Sequence, residues 1–282
     1  MTTERFTAII LAADRHANDP LLAASGACCK AMVKIDGAPM LERVVGALLD
    51  SPRVGHIVIS GPREQQLPGS DFLAAALARG AINWTAPQDS PSNSAYRAMQ
   101  ALPNDTPVLV TTADHPLLRA DIVDDFVRRS LESGADVGVG LTDYAAIHTR
   151  FPSAKKTVTR FRDGGYCGCN LFTFMTPASH RVAAAWRRVE QQRKNPLRII
   201  SQLGWWSVFR YLLGWMTLNQ ALGELSQRLH VRIAPVHLPY PEAAIDVDSI
   251  ADQRLWKASP AATNDAFAVA RTAVTPTGRR VR

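Results

Sequence analysis

Short apolar runs alternate with amphipathic stretches along most of this chain, the rhythm of a buried, mostly parallel sheet covered by helices. Residues 7–13 (TAIILAA) form the first such run, rich in strand formers, and it stops at Asp14. Residues 14–29 are polar, small and irregular, with Asn18-Asp19-Pro20 and Ser25-Gly26 as turn formers. A loop that long at the carboxyl end of a first strand is where an open α/β sheet takes its ligand. Asp36-Gly37 then marks a turn, after which Met40, Leu41, Val44, Val45, Leu48 and Leu49 fall on one helical face.

Further on, the pattern predicts a second buried strand over 54–61, a short helix over 71–79 and an edge strand over 82–85. Ser90, Ser92, Asn93 and Ser94 crowd the start of a helix that reaches Leu102, where hydroxyl and amide side chains cap free N–H groups. Residues 106–118 carry an apolar strand into Asp114, with Pro116 ending regular pairing just beyond. A carboxylate at the tip of a central strand is placed to hold a hard cation, and Mg²⁺ takes one or two such carboxylates together with phosphate oxygens. A helix over 121–129 and a strand over 135–141 follow. Residues 151–166 read as a hairpin turning at Asp163-Gly164 and carrying Lys155, Lys156, Arg160 and Arg162. Arg160 and Arg162 share one strand face, either looking into a cleft as phosphate binders or solvated at the sheet edge. Helices over 178–192 and 219–229 and a strand over 231–240, broken by Pro235, complete the pattern.

Leu11-Ala12-Ala13, a loop, Lys30-Ala31 and then Ile35-Asp36-Gly37-Ala38-Pro39-Met40-Leu41 resemble the signature of the nucleotidyltransferases with a GT-A-like fold. Within that superfamily the chain is most similar to the MobA-like NTP transferases, which join a nucleoside monophosphate to a phosphorylated acceptor. The resemblance implies a three-layer, Rossmann-like (GT-A-like) mixed and mostly parallel sheet flanked by helices, here with an aromatic-rich helical insertion. It implies that Leu11, Ala12, Ala13, Asp14 and Gly26 line the nucleotide, with Lys30 and Arg15 neutralising charge on the α-phosphate. The usual L-A-A-G-x-G-x-R reads Leu11-Ala12-Ala13-Asp14-Arg15-His16-Ala17 in this chain, and the first glycine is Gly26, so phosphate-binding amides are expected near Ser25-Gly26-Ala27.

The same resemblance places Ser92 and Asn93 at the base or ribose, a role that stands beside capping. It makes Asp114 a ligand of Mg²⁺ (or Mn²⁺) and supplies the second carboxylate from Asp246, in an element similar to the family's D-x-D-T-P-E-D-L. Asp248 and Ser249 read instead as caps of the last helix, since Ser249 precedes Asp252 by three positions. Gly168-Cys169-Asn170 is similar to the family's G-x-N element, so Asn170 joins Lys155, Arg160 and Arg162 as an expected acceptor contact. His115 receives no catalytic role. Two other classes remain: a GT-A-type glycosyltransferase, disfavoured by the single acid in Ala113-Asp114-His115, and a nucleotide-binding regulatory module without catalysis, suggested by the altered loop.

Composition narrows the picture. With 282 residues, 46% of them hydrophobic and 20% charged, the chain buries a sizeable core. The catalytic domain is expected over 1–257, with the insertion at about 178–230 and a basic tail over 258–282. Arg271, Arg279, Arg280 and Arg282 against Asp265 place +3 of the formal +7 in that tail. The remainder suits a protein that handles phosphate esters, as the NTP and phosphorylated acceptor implied by the resemblance are, and is too small to argue for nucleic acid. Cys28-Cys29 and Cys167-Gly168-Cys169 have no zinc-site spacing and read as reduced thiols of a cytoplasmic protein, and no cleavable apolar leader precedes the first strand. Residues 195–218 are apolar and aromatic but interrupted by Arg198, Gln202 and Arg210, which argues against a bilayer span. They fit a helical pair, broken near Gly204, that packs on the sheet or forms a homodimer contact. The alternative is a patch holding Trp205, Trp206, Tyr211 and Trp215 at the inner face of a membrane and accommodating a lipid-like acceptor.

Overall fold

The first apolar run is strand β1, Phe6–Leu11, in a computed structural model that describes residues 5–14, 20–191, 205–249 and 252. Inside the stretch expected to be irregular the chain forms a short helix, α1, Pro20–Ser25, started by a proline and anchored by the buried Leu21. A ribbon of β2, Lys34–Ile35, and β3, Ala38–Pro39, turns at Asp36-Gly37, whose φ values of 48° and 81° are those an Asp-Gly hairpin turn requires. It delivers the chain into α2, Met40–Leu49. Next come β4, Val54–Ser60, α3, Asp71–Ala78, and β5, Asn83–Thr85. They are followed by α4, Pro91–Gln100, β6, Val108–Thr112, and α5, Ala120–Glu132.

The second half holds β7, Val137–Asp143, α6, Tyr144–Arg150, and the hairpin of β8, Thr159–Phe161, with β9, Gly164–Phe174. After these come α7, His180–Gln191, α8, Trp205–Leu212, α9, Leu218–Leu229, and β10, Ile233–His237. The expected mixed sheet is an eight-stranded one in the order β10-β7-β9-β6-β1-β4-β5, with β8 paired to the start of β9. β1 lies parallel between β4 and β6, while β9 runs antiparallel between β6 and β7. Pro235 does not break β10, because an edge strand leaves one side of its backbone unpaired.

Successive β1 residues face opposite sides of the sheet, and the core divides accordingly. Phe6, Ala8 and Ile10 pack with α2, α3 and α5, whereas Ile9 packs with α4, α7 and α9. The result is the expected sandwich of helices, sheet and helices. At the end of β4, Gly61 adopts a φ of +76° and passes so close to Ala13 that a Cβ would lie 3.0 Å from the Ala13 backbone nitrogen. That approach sets the turn after β4 against the start of the loop that follows β1.

The expected break near Gly204 lies outside the described residues, as does the basic tail. Within them, α8 is followed by a turn with Gly214 in the left-handed conformation, and Thr217 with Gln220 forms a capping box that starts α9. Phe209, Leu212, Leu213 and Trp215 are exposed, and among the described residues no helix is long and apolar enough to cross a membrane.

Candidate active site

Where the carboxyl ends of β1 and β6 meet, Ala113 N–H donates to the Leu11 carbonyl at 3.0 Å, carrying the pairing one residue past each strand. Asp114 therefore stands just above the sheet. Its carbonyl accepts from Val247 N–H at 2.9 Å, which pins the chain that follows a short 3-10 turn, Pro241–Ala244. Val247 is buried, whereas its neighbour Asp246 is half-buried and Asp248 is exposed.

Lys30 begins another 3-10 turn, Lys30–Met32, at the far end of the loop. Its backbone N–H donates to Asp14 Oδ1 at 2.8 Å, so the two ends of the loop are clasped. Its side chain crosses to Asp114, with Nζ 3.2 Å from Oδ2, and also pairs with Asp248. Lys30, Asp114 and the strand-end residues Leu11, Ala12, Ala13 and Asp14 share one small recess of about 30 Å³. Thr112 Oγ1 donates to the other Asp114 oxygen at 2.6 Å.

Burial would lower the Lys30 ammonium, but Asp114 and Asp248 outweigh it and hold its pKa above the ordinary lysine value. For Asp114, burial pushes upward while His115, Lys30 and Thr112 act downward, and the balance lies below the usual carboxylate range. His115 is itself lowered by burial, against the pull of Asp114 and Asp246, and its Nε2 lies 2.8 Å from Asn170 Nδ2. Lys30 and Thr112 also contact the Asp114 carboxylate directly, one at each oxygen.

The expected residues fall into distinct places. Asp246 pairs with Lys156, one position beyond the expected Lys155, while it is Asp248 that shares Lys30 with Asp114. The capping role read for Asp248 belongs to Ser249, which accepts from Asp252 N–H at 3.3 Å while Asp252 accepts from Asp248 N–H at 3.2 Å. The Asp248 carboxylate is thereby left for Lys30. Asn170 sits in the left-handed conformation, φ 48°, at an irregularity in the β7–β9 register, and reaches the cluster through His115.

Gly26 terminates α1 with φ +65°, its amide donating to the Leu22 carbonyl at 3.0 Å, and Ala27 N–H donates to Ser25 Oγ at 3.3 Å. The Gly26 and Ala27 amides, two of those expected near the phosphate, thus bond within the loop itself at the helix end. Ser90 caps α4, and the Ser92 N–H donates to Glu190 at 3.0 Å. Asn93 bridges Asp89 at 2.5 Å and Arg187 at 2.6 Å, so this group joins α4 to α7. Lys155, Arg160 and Arg162 are exposed, with Arg160 over the Tyr144 ring. The hairpin tip bonds outward: Arg162 N–H donates to the Met216 carbonyl at 2.9 Å, and Asp163 accepts from Leu218 N–H at 3.1 Å. Arg15 lies outside the described residues. Sequence reasoning missed Thr112, Lys156 and the carboxylate of Asp248; the hydroxyl two residues before Asp114 and the Asp-Val-Asp repeat were the available signals.

Among the described residues no group of three or more Asp, Glu, His or Cys side chains is arranged to hold a metal. The donor chemistry nonetheless fits a hard cation that completes its shell with phosphate oxygens, since Asp114 and Asp248 already converge on one positive charge. A sequence profile of the MobA-like NTP transferase domain matches residues 8–203. The chain belongs to this family. Its strand-end Leu11-Ala12-Ala13, Lys30 and Asp114 all lie inside the matched region of this MobA-like domain. A hypothetical transferase from Thermus thermophilus is 27% identical, covering 88% of this chain and 99% of its own, with a TM-score of 0.71. The 4-diphosphocytidyl-2C-methyl-D-erythritol synthase of Anaerococcus prevotii shares the fold at 12% identity and TM-score 0.53, over 90% of this chain and 96% of its own. No curated protein matches the sequence.

Proposed function

We propose that this MobA-like protein transfers a nucleoside monophosphate from an NTP to a phosphorylated small-molecule or lipid-like acceptor, releasing pyrophosphate, in the cytoplasm. The observation that carries the reading is the convergence of Lys30, Asp114 and Asp248 at the carboxyl end of the central strands, beside the recess formed by Leu11-Ala12-Ala13-Asp14. Ligands of open α/β sheets bind at that edge.

An oxygen of the acceptor's phosphate attacks the α-phosphorus in line; the new P–O bond forms as the bond to pyrophosphate breaks. Little covalent chemistry is asked of the protein, so positioning and charge neutralisation carry the rate. Lys30, raised and fully protonated near neutrality, meets the charge that builds on the α-phosphate oxygens. Arg15, from the same loop, assists it. Asp114 and Asp248 would hold Mg²⁺ (or Mn²⁺), with Asp246 adjoining them, and the ion when bound supplies neutralisation of the triphosphate. Thr112 and Lys30 keep Asp114 ionised for that task. His115 and Asn170 fix each other beside it, with Asn170 toward the acceptor and the cations Lys155, Lys156, Arg160 and Arg162 attracting its phosphate. Ser92 and Asn93 hold the α4 terminus that faces the base, and the exposed face of α8 meets a membrane surface or a second copy.

The test is pyrophosphate release by the full-length protein with each NTP in turn, Mg²⁺, and a panel of phosphate monoesters. Release that needs one NTP and an added acceptor, and is lost in Asp114→Asn, supports the assignment. Measurable NTP binding with no release from any acceptor would leave a nucleotide-binding module instead.

A further inference from the structure

On the other side of the sheet from α2 and α5, a cavity of about 250 Å³ lies between the strands and helices α4, α7 and α9. Native interiors hold few voids larger than a water molecule, and an apolar opening of this size is large enough to take a small ligand. Its floor follows the strand register. Val137 and Phe174 pair at one end, Val139, Phe172 and Val110 form the next rung, and Thr112 and Asn170 close the series. Same-face rungs lie two residues apart, so the floor runs about 13 Å along the strands at about 3.3 Å per residue. Trp186 of α7 and Leu222 and Leu225 of α9 form the roof.

The polarity of this floor is one-sided. On this face its polar side chains are Thr112 and Asn170, both at the carboxyl end of β6. Thr112 donates to Asp114, and Asn170 to His115. The polar end of the cavity, Thr111, Thr112 and Asn170, thus adjoins the Asp114–His115 cluster, and the rest of its lining is hydrocarbon. A nucleobase or sugar would leave its polar edges unpaired there, whereas an apolar chain loses nothing by entering.

We infer that the acceptor is an amphiphile, a phosphate monoester of an apolar chain, with the phosphate at Lys30 and Asp114 and the chain lying in this cavity. The inference rests on the transferase reading and narrows its acceptor class. It assigns Val110, Val139, Phe172 and Leu222 as residues that select the acceptor by chain length.

The experiment measures binding of ethyl, butyl and octyl phosphate to the full-length protein without NTP, by calorimetry and by tryptophan fluorescence. Affinity is expected to rise about three- to fourfold per added methylene until the cavity is filled. The fluorescence change should vanish in Trp186→Phe. Val139→Phe and, independently, Leu222→Trp should abolish the preference for octyl over ethyl phosphate while circular dichroism and the melting transition show a folded protein. Octyl phosphate binding no tighter than ethyl phosphate overturns the inference, even where pyrophosphate release proceeds with other acceptors. Chain-length-dependent binding with no turnover of any NTP supports the chain site and refutes the transferase reading.

Discussion

Replacing Lys30 by alanine removes an ammonium that lies 3.2 Å from Asp114 and pairs with Asp248, and its effects on folding and on turnover separate cleanly. The Asp248 side chain is 64% exposed, so that pair contributes at most about 1 kcal/mol, and less in salt. Asp114 keeps its bond from Thr112 and is 23% exposed, so water and that hydroxyl limit the cost of removing its cation. The net cost to stability is about 1 kcal/mol, which lowers Tm by about 2–4 °C for a domain of this size. Turnover is different. A preorganised donor aimed at charge that develops only in the transition state is worth about 10²–10³ in kcat when deleted. The assay pairs calorimetric melting with pyrophosphate release at saturating NTP, and Lys30→Ala is expected to melt near the wild type while kcat falls by at least about 10². Unchanged kcat refutes the role assigned to Lys30, and a collapse of the melting transition refutes the claim that its task is chemical rather than structural.

Asp248→Asn should raise the Mg²⁺ concentration needed for half-maximal turnover about tenfold or more, and Asp246→Asn should raise it less, because the second carboxylate is held by Lys156; a Mg²⁺ titration of both variants decides the order. Asp136 accepts from Thr176 Oγ1 and Arg232 N–H, each at 2.8 Å, and although burial pushes it upward these partners hold it below the usual carboxylate value. Its contribution is present above the unfolded aspartate pKa and is lost as pH falls through the lower folded value. Asp136→Asn should therefore cost about 1.5–3 kcal/mol at neutral pH and weaken the acid dependence of urea unfolding. Cys28 is exposed, whereas Cys29, Cys167 and Cys169 are buried and burial raises all three, Cys29 and Cys169 to about 12. A thiol reagent should label one cysteine of the native protein rapidly, and Cys28→Ser should remove that fast phase.

Much of the fold was legible because its signals are local. The buried run of β1, the Asp-Gly turn and the one-sided face of α2 each state their structure within a few residues. So does Asp114 at the end of β6, whose position above the sheet follows from the apolar strand before it. Pairings between distant segments were not legible in the same way. Asp246 and Asp248 differ by only two positions, so the choice between them depends on where Lys30 and Lys156 arrive from other parts of the chain. Gly26 carried the composition of a phosphate loop, yet α1 precedes it and claims its amide, and that helix was hidden by the turn formers around it. The hairpin cations Arg160 and Arg162 were placed on one face correctly for a strand, but Arg162 falls in the turn after β8, where docking against Met216 takes over. The cavity had no sequence signature at all, since its walls read as ordinary core positions of β6, β7, β9, α7 and α9.

The most direct measurement follows phosphorus from the NTP into product. With label at the α-phosphate, the account predicts label on the acceptor and unlabelled pyrophosphate; with label at the γ-phosphate, it predicts labelled pyrophosphate and an unlabelled acceptor. Transfer of the γ-label to the acceptor, or release of labelled inorganic phosphate alone, would contradict it.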